Sequence, residues 1–341
     1  MEHGRGYRGV MEWMGDVSAG AWLRDRLDGG PGARRVVPSG FPSYARVFHP
    51  ASRDRPVGVE WPPLPEGRHR REWAAFRAAR PELVDERVRW ADAAAAFGAT
   101  MHPLAQWSEL VGRLRPEPGE DGPRDAAGWR YQEPAPGGLP GDLVAAAASV
   151  LAAHTTTPRD GVVAVWAGWG GLLGFHGETP ARTFLTAAVG GDAVLERHNA
   201  MLARSIPDRF NNVFLRPGWQ PGILSDEISR GPRLELPARE HVLFRGGVAE
   251  LADPDGMRHA PWRDREAGEH GLDAQAPSLV WPDDRAWVMV ADVDLDSTVV
   301  GGDPALIAAL VADPRLEAAE IPVDADLTRA GGATRPDAVG G

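Results

Sequence analysis

The chain reads as an α+β fold, a mixed or antiparallel sheet packed with helices, in one body or in two lobes. Three observations predict it. Strand-like stretches recur at 41–48, 162–169, 241–248 and 287–296. Helix-period stretches stand at 16–27, 68–80, 85–97, 102–111, 142–154 and 304–312. The two kinds mix without the strict alternation that a doubly wound parallel sheet requires.

Residues 1–15 read as a loose start, and 16–113 as an α+β N-terminal half. In 16–27, Ala19, Trp22, Leu23 and Leu27 share one helical face, and Gly29-Gly30 stops the helix. Residues 35–37 and 41–48 read as strands around Pro38-Ser39-Gly40; Ala45 and Val47 alternate against Tyr44, Arg46 and Phe48 until His49-Pro50 ends the run. Residues 57–61 suggest a further strand. Pro81 separates helices at 68–80 and 85–97, the second carrying the helix-favouring pair Asp85 and Arg89. A third helix is expected over 102–111, with Pro103 in its first turn and a stripe of Leu104, Trp107, Leu110 and Val111.

Residues 114–140, rich in Pro, Gly and acid, read as a linker or long surface loop, and 141–327 as an α+β C-terminal half. Its first helix, 142–154, is Ala-rich, and 162–169 is apolar enough for a strand buried on both faces. An insertion is expected near 175–230, with helical pattern at 182–205, and 253–276 reads as loop. From 281 to 323 the pattern is a turn, a long strand with an acidic end, a Gly-Gly loop, a helix capped by Asp303 and a last short strand. Residues 328–341 read as a disordered tail.

Composition excludes whole classes of chemistry. There is no Cys, so disulfides, thiolate metal sites and Cys nucleophiles are absent. All 37 basic residues counted as Lys or Arg are Arg, which removes Schiff bases, the P-loop lysine and Ser-Lys mechanisms. A formal charge of −11 argues against nucleic-acid and anionic-membrane partners. The start, MEHGRGYRGV, lacks the apolar core of a signal peptide, and the longest nearly apolar run, 143–153, is short for a membrane span, so a cytoplasmic protein is expected.

Asp292, Asp294 and Asp296 are the nearest thing to a chemical constellation. In an extended strand they share one face, with alternate side chains roughly 7 Å apart. That is wide for one ion unless the chain curls. They are candidate metal ligands, with Asp294 and Asp296, and His49 and His102 before prolines, as catalytic candidates. Asp294-Leu-Asp296-Ser-Thr298 resembles the first motif of haloacid dehalogenase phosphatases, but the lysine which that chemistry needs is missing. The same run fits a calcium loop poorly, with Ser297 at the sharp-turn Gly position and Asp303 replacing the last Glu. No HxH, HExxH or G-x-S-x-G occurs, and Gly168-Trp-Gly-Gly171 lacks dinucleotide spacing. Among the 13 Trp, Trp166, Trp169, Trp281 and Trp287, with Arg46, are candidate ligand-binding side chains, the alternative for each Trp being the core.

At Val37-Pro-Ser-Gly-Phe-Pro-Ser-Tyr-Ala-Arg-Val-Phe-His-Pro50, at Trp281-Pro-Asp-Asp-Arg-Ala-Trp287 and at Asp296-Ser-Thr-Val-Val-Gly-Gly302, the chain resembles a family of uncharacterised proteins from high-GC actinobacteria. The resemblance covers most of 16–323 outside 175–230 and implies the unity of the fold, but no activity, cofactor or catalytic residue. The reading these features favour is a binding or interaction module without chemistry, of immunity type or another, taking a protein or small-molecule partner and no cofactor. Its alternative is a hydrolase using a divalent cation on the three aspartates.

Overall fold

The structure, a computed structural model, describes residues 11–27, 36–112, 122–177, 218–265 and 274–322, with 325 and 327. In chain order its strands are β1 (Glu12–Met14), β2 (Ser43–Phe48), β3 (Ala51–Pro56), β4 (Leu83–Val88), β5 (Arg130–Gln132), β6 (Gly161–Trp166), β7 (Phe175–Gly177), β8 (Gly218–Gln220), β9 (Leu234–Glu235), β10 (Glu240–Arg245), β11 (Leu279–Pro282), β12 (Val288–Val290), β13 (Ser297–Gly302) and β14 (Ala318–Ile321). Its α-helices are α1 (Ala21–Arg24), α2 (Arg70–Ala79), α3 (Trp90–Ala96), α4 (Trp107–Leu110), α5 (Gly141–Ala152), α6 (Asp226–Arg230), α7 (Val248–Leu251) and α8 (Pro304–Ala312). No helix among the described residues is long and apolar enough to cross a membrane.

The fold is α+β. A large antiparallel sheet runs β1-β10-β6-β11-β12-β13-β2-β14, with β9 also on β10. Val163, Val165, Phe244, Met289, Val300 and Val47 pack on one side with Leu151 of α5, Leu251 of α7 and Leu306 of α8. Val162, Ala164, Leu243, Leu279 and Val290 face the other side, under Leu23 and Leu234. With both faces covered, β6 must be apolar at every position, as its sequence is. A second lobe holds the three-stranded sheet β4-β3-β5 and a core of Trp90, Trp107, Tyr131 and neighbouring alanines.

The two predicted halves share one sheet: β2 of the first half lies between β13 and β14 of the second. The supposedly loose start supplies β1, paired in register with β10. Of the predicted linker, the described part from 122 onward includes β5, which pairs with β3. Within the stretch where an insertion was expected, β7 pairs with β8, while 178–217, including the predicted helix at 182–205, lies outside the described residues, as does 328–341.

Five local readings change. The 85–97 stretch divides into β4 and α3, because 83–88 zips fully onto β3 and Glu86 takes the guanidinium of Arg53, outweighing one helical i,i+4 pair. No strand forms at 57–61; the strand of this region is β3, just before it, whose Ser-Arg-Asp-Arg stretch hid it. The helix at 102–111 shrinks to α4, since the Pro103 and Ala105 carbonyls turn to the Arg46 guanidinium at 3.2 and 2.8 Å instead of joining a helix. The long strand ends at Val290: Asp292 Oδ1 accepts from the Asp294 N–H at 2.9 Å, and its carbonyl from Leu295 N–H at 3.0 Å, so the acidic run is the β12–β13 turn. The predicted Gly-Gly loop is the end of β13; a Cβ on Gly301 would stand 2.8 Å from Phe41 and Tyr44 ring atoms.

Candidate functional site

Each aspartate of the β12–β13 turn is held by an arginine. Val288 and Val290 carry the face that Asp292 continues, which puts its carboxylate at the rim of the large sheet, buried. There both oxygens meet Arg239 at 3.1 Å, from Nε and from Nη2. The same Nη2 reaches the exposed Asp294 at 2.5 Å. Asp292 holds Arg239 more firmly protonated than usual, with Asp294 adding to it. Asp296 turns the other way, to Arg46 at 3.1 Å. Three carboxylates that alternation would aim together are thus divided between two guanidiniums. Among the described residues no group of three His, Asp or Glu is arranged to hold a metal ion.

Arg46 and His49 join the lobes. Arg46 is fully buried; it donates to Ser297 Oγ at 3.0 Å and lies 4.4 Å from the Phe48 ring centroid and 5.1 Å from that of Trp90. Burial lowers its pKa, opposed by Asp296. His49 is buried too. Its Nδ1 lies 3.0 Å from the Ala135 carbonyl, which can only accept, so Nδ1 carries the proton and Nε2 accepts from the Thr298 hydroxyl at 2.9 Å. Burial brings its pKa to about 4, so the ring is neutral near pH 7. Its carbonyl takes the Trp90 indole N–H at 2.8 Å. His102 is exposed, its imidazole making no hydrogen bond or ion pair with the described residues. Neither histidine's imidazole is hydrogen-bonded to the aspartates, and Arg46, with no exposed surface, is a fastener rather than a ligand contact.

The tryptophans separate as sharply. Trp287 is in the core, its indole N–H on the Leu151 carbonyl at 3.1 Å, and Trp281 lies under Trp22 in an edge contact of 6.1 Å. Both are packing residues. Trp166 and Trp169 reach the surface, edge to face at 5.5 Å, at the C-terminal end of β6. Gly168 lets the Trp166 ring fold back, since a Cβ there would fall 2.2 Å from it. Arg239 lies 5.1 Å from the Trp166 ring centroid, so the arginine that gathers Asp292 and Asp294 also fixes the indole.

This corner carries an open cleft of about 570 Å³ between Trp166, Gly168 and Leu173 on one side and Arg233 and the β9–β10 hairpin on the other. The hairpin closes tightly through reciprocal Leu236 and Arg239 backbone bonds of 2.9 and 3.2 Å around Pro237-Ala238. Next to it, His241, Ser278 and Asp292 line a cavity of about 20 Å³, room for a single water. These three types suggest a Ser-His-Asp relay, but the geometry denies one. Asp292 is spent on Arg239, Ser278 Oγ accepts from the Trp166 N–H at 3.0 Å, and His241 Nδ1 has no partner among the described residues. Burial brings His241 to about 4, against an opposing pull from Asp292.

Protein-family models, curated proteins and solved structures gave no match to this chain. The site therefore rests on its own geometry. Of the residues singled out from sequence, Asp292, Asp294, Trp166 and Trp169 meet there; His49, Arg46 and Asp296 meet between the lobes. Arg233, Arg239 and His241 went unnoticed. The available signal was Pro237-Ala238-Arg239-Glu-His241, a turn followed by alternating polar residues entering an apolar strand.

Proposed function

We propose that this chain is a cytoplasmic, non-catalytic binding module that takes its ligand in the cleft beside Trp166. The cleft itself carries the reading: its volume of about 570 Å³ is in the range of small-molecule sites, and it sets the Trp166 indole and apolar Leu173, Leu236 and Pro237 beside four charged side chains, Arg233, Glu235, Arg239 and Glu240. Arg239 supports that wall, tied at once to Asp292, Asp294 and the Trp166 ring. The pairing of every turn aspartate with arginine favours a scaffold over a set of acids and bases.

A thermal-shift screen of uncharged and charged small molecules tests the proposal. A ligand of the folded state raises the melting temperature of the wild type and not of Trp166→Ala, and mass spectrometry finds it unchanged. Turnover of any substrate in a broad hydrolase screen, abolished by Asp294→Ala, overturns it.

A further inference from the structure

Arg233 stands apart from the other guanidinium of the cleft. Arg239 has two carboxylates. Arg233 forms no ion pair among the described residues: Nη1 donates to the Gly231 carbonyl at 3.3 Å, Nη2 to the Ser229 carbonyl, and the buried Nε–H has no partner. Those carbonyls orient the guanidinium without supplying a counter-charge. Arg233 thus stands half-buried on the wall of the cleft, in a chain of net charge −11, with no carboxylate among the described residues to neutralise it.

Resting on the cleft as the binding site, we infer that its ligand is an aromatic or otherwise flat monocarboxylate, its carboxylate on Arg233 and its ring against Trp166. A guanidinium's planar fork suits a carboxylate, and charge-assisted bonds of this kind are about twice as strong as neutral ones. One charge fits better than two, because the exposed Glu235 and Glu240 also line the cleft and repel a dianion. Such a group is carried by a free small acid or by the C-terminus of a peptide ending in an aromatic residue.

Calorimetric titration of the full chain with phenylacetate, with neutral phenylacetamide and with a hexapeptide ending in phenylalanine tests this. Wild-type protein binds a free carboxylate at least about tenfold more tightly than the amide. Arg233→Gln abolishes that preference while circular dichroism shows it folded, and Arg233→Lys restores part of it. A tighter peptide assigns a chain terminus and a tighter phenylacetate a free acid; either supports the inference. Equal affinity for acid and amide, an unchanged preference in Arg233→Gln, or no binding of any of the three probes overturns it. Uncharged hits from the thermal-shift screen that Trp166→Ala abolishes would then leave the cleft as a binding site with the ligand class wrong, which separates the two failures.

Discussion

His49 and His241 are buried bases, and burial sets their response to acid. Unfolded, each imidazole takes a proton near pH 6.5; folded, each does so only near pH 4. Between those values the unfolded chain binds more protons, so this part of the stability is complete above about pH 6.5 and is lost as pH falls through 4. Each histidine contributes up to about 1.4 kcal/mol per pH unit in that window. Urea unfolding at pH 7, 6 and 5 measures the slope, and His241→Leu, matching its apolar neighbours, should reduce it by about half; an unchanged slope contradicts the assignment. Asp296 permits a second test. Removing it leaves the fully buried Arg46 without its carboxylate, so Asp296→Ala should cost about 3–5 kcal/mol in the same unfolding experiment. A loss below about 1 kcal/mol would mean that the remaining Ser297 and carbonyl contacts satisfy Arg46 alone.

Elements were legible where local chemistry and packing agree. Asp303 caps α8, accepting from the Ala305 N–H at 2.8 Å with Pro304 next, as the residues alone indicate. Asp303→Ala should therefore cost about 1 kcal/mol, read as a lower urea midpoint. The alternation through Trp287, Val288, Met289 and Val290 also gave the correct sheet faces. Elements were illegible where a distant group decides. β3 is polar and pairs on both sides inside the small lobe, while α3 begins where the Glu317 carboxylate, far along the chain, accepts from the Trp90 and Ala91 N–H groups at 2.7 and 2.8 Å. Burial raises the Glu317 pKa, opposed by those bonds. Gly168 is an element-scale lever on the cleft. Gly168→Ala places its Cβ in the Trp166 ring, so the indole must move, changing near-ultraviolet circular dichroism with the far-ultraviolet signal retained. Identical near-ultraviolet spectra would show that the ring does not lie over Gly168.

At the scale of the whole molecule, class and composition limits were readable, and the arrangement of the chain was not. Nothing local to 43–48 says that β2 will lie between β13 and β14, because that neighbourhood is made by strands about 250 residues or more away. The candidate site shows the same division. Asp292, Asp294 and Trp166 stood out by type and spacing, yet the meaning of the acidic run depends on Arg239 and Arg46, which approach it from other strands or turns. Two guanidiniums turn what looks like a metal-ligand triplet into struts, one for the cleft and one between the lobes. Calorimetric titration of the full chain with Mg²⁺, Mn²⁺ and Ca²⁺ examines that claim most directly. No saturable binding up to millimolar metal is the predicted result; a site saturating at micromolar metal and lost in Asp292→Asn or Asp294→Asn would contradict it and restore the metal-dependent hydrolase.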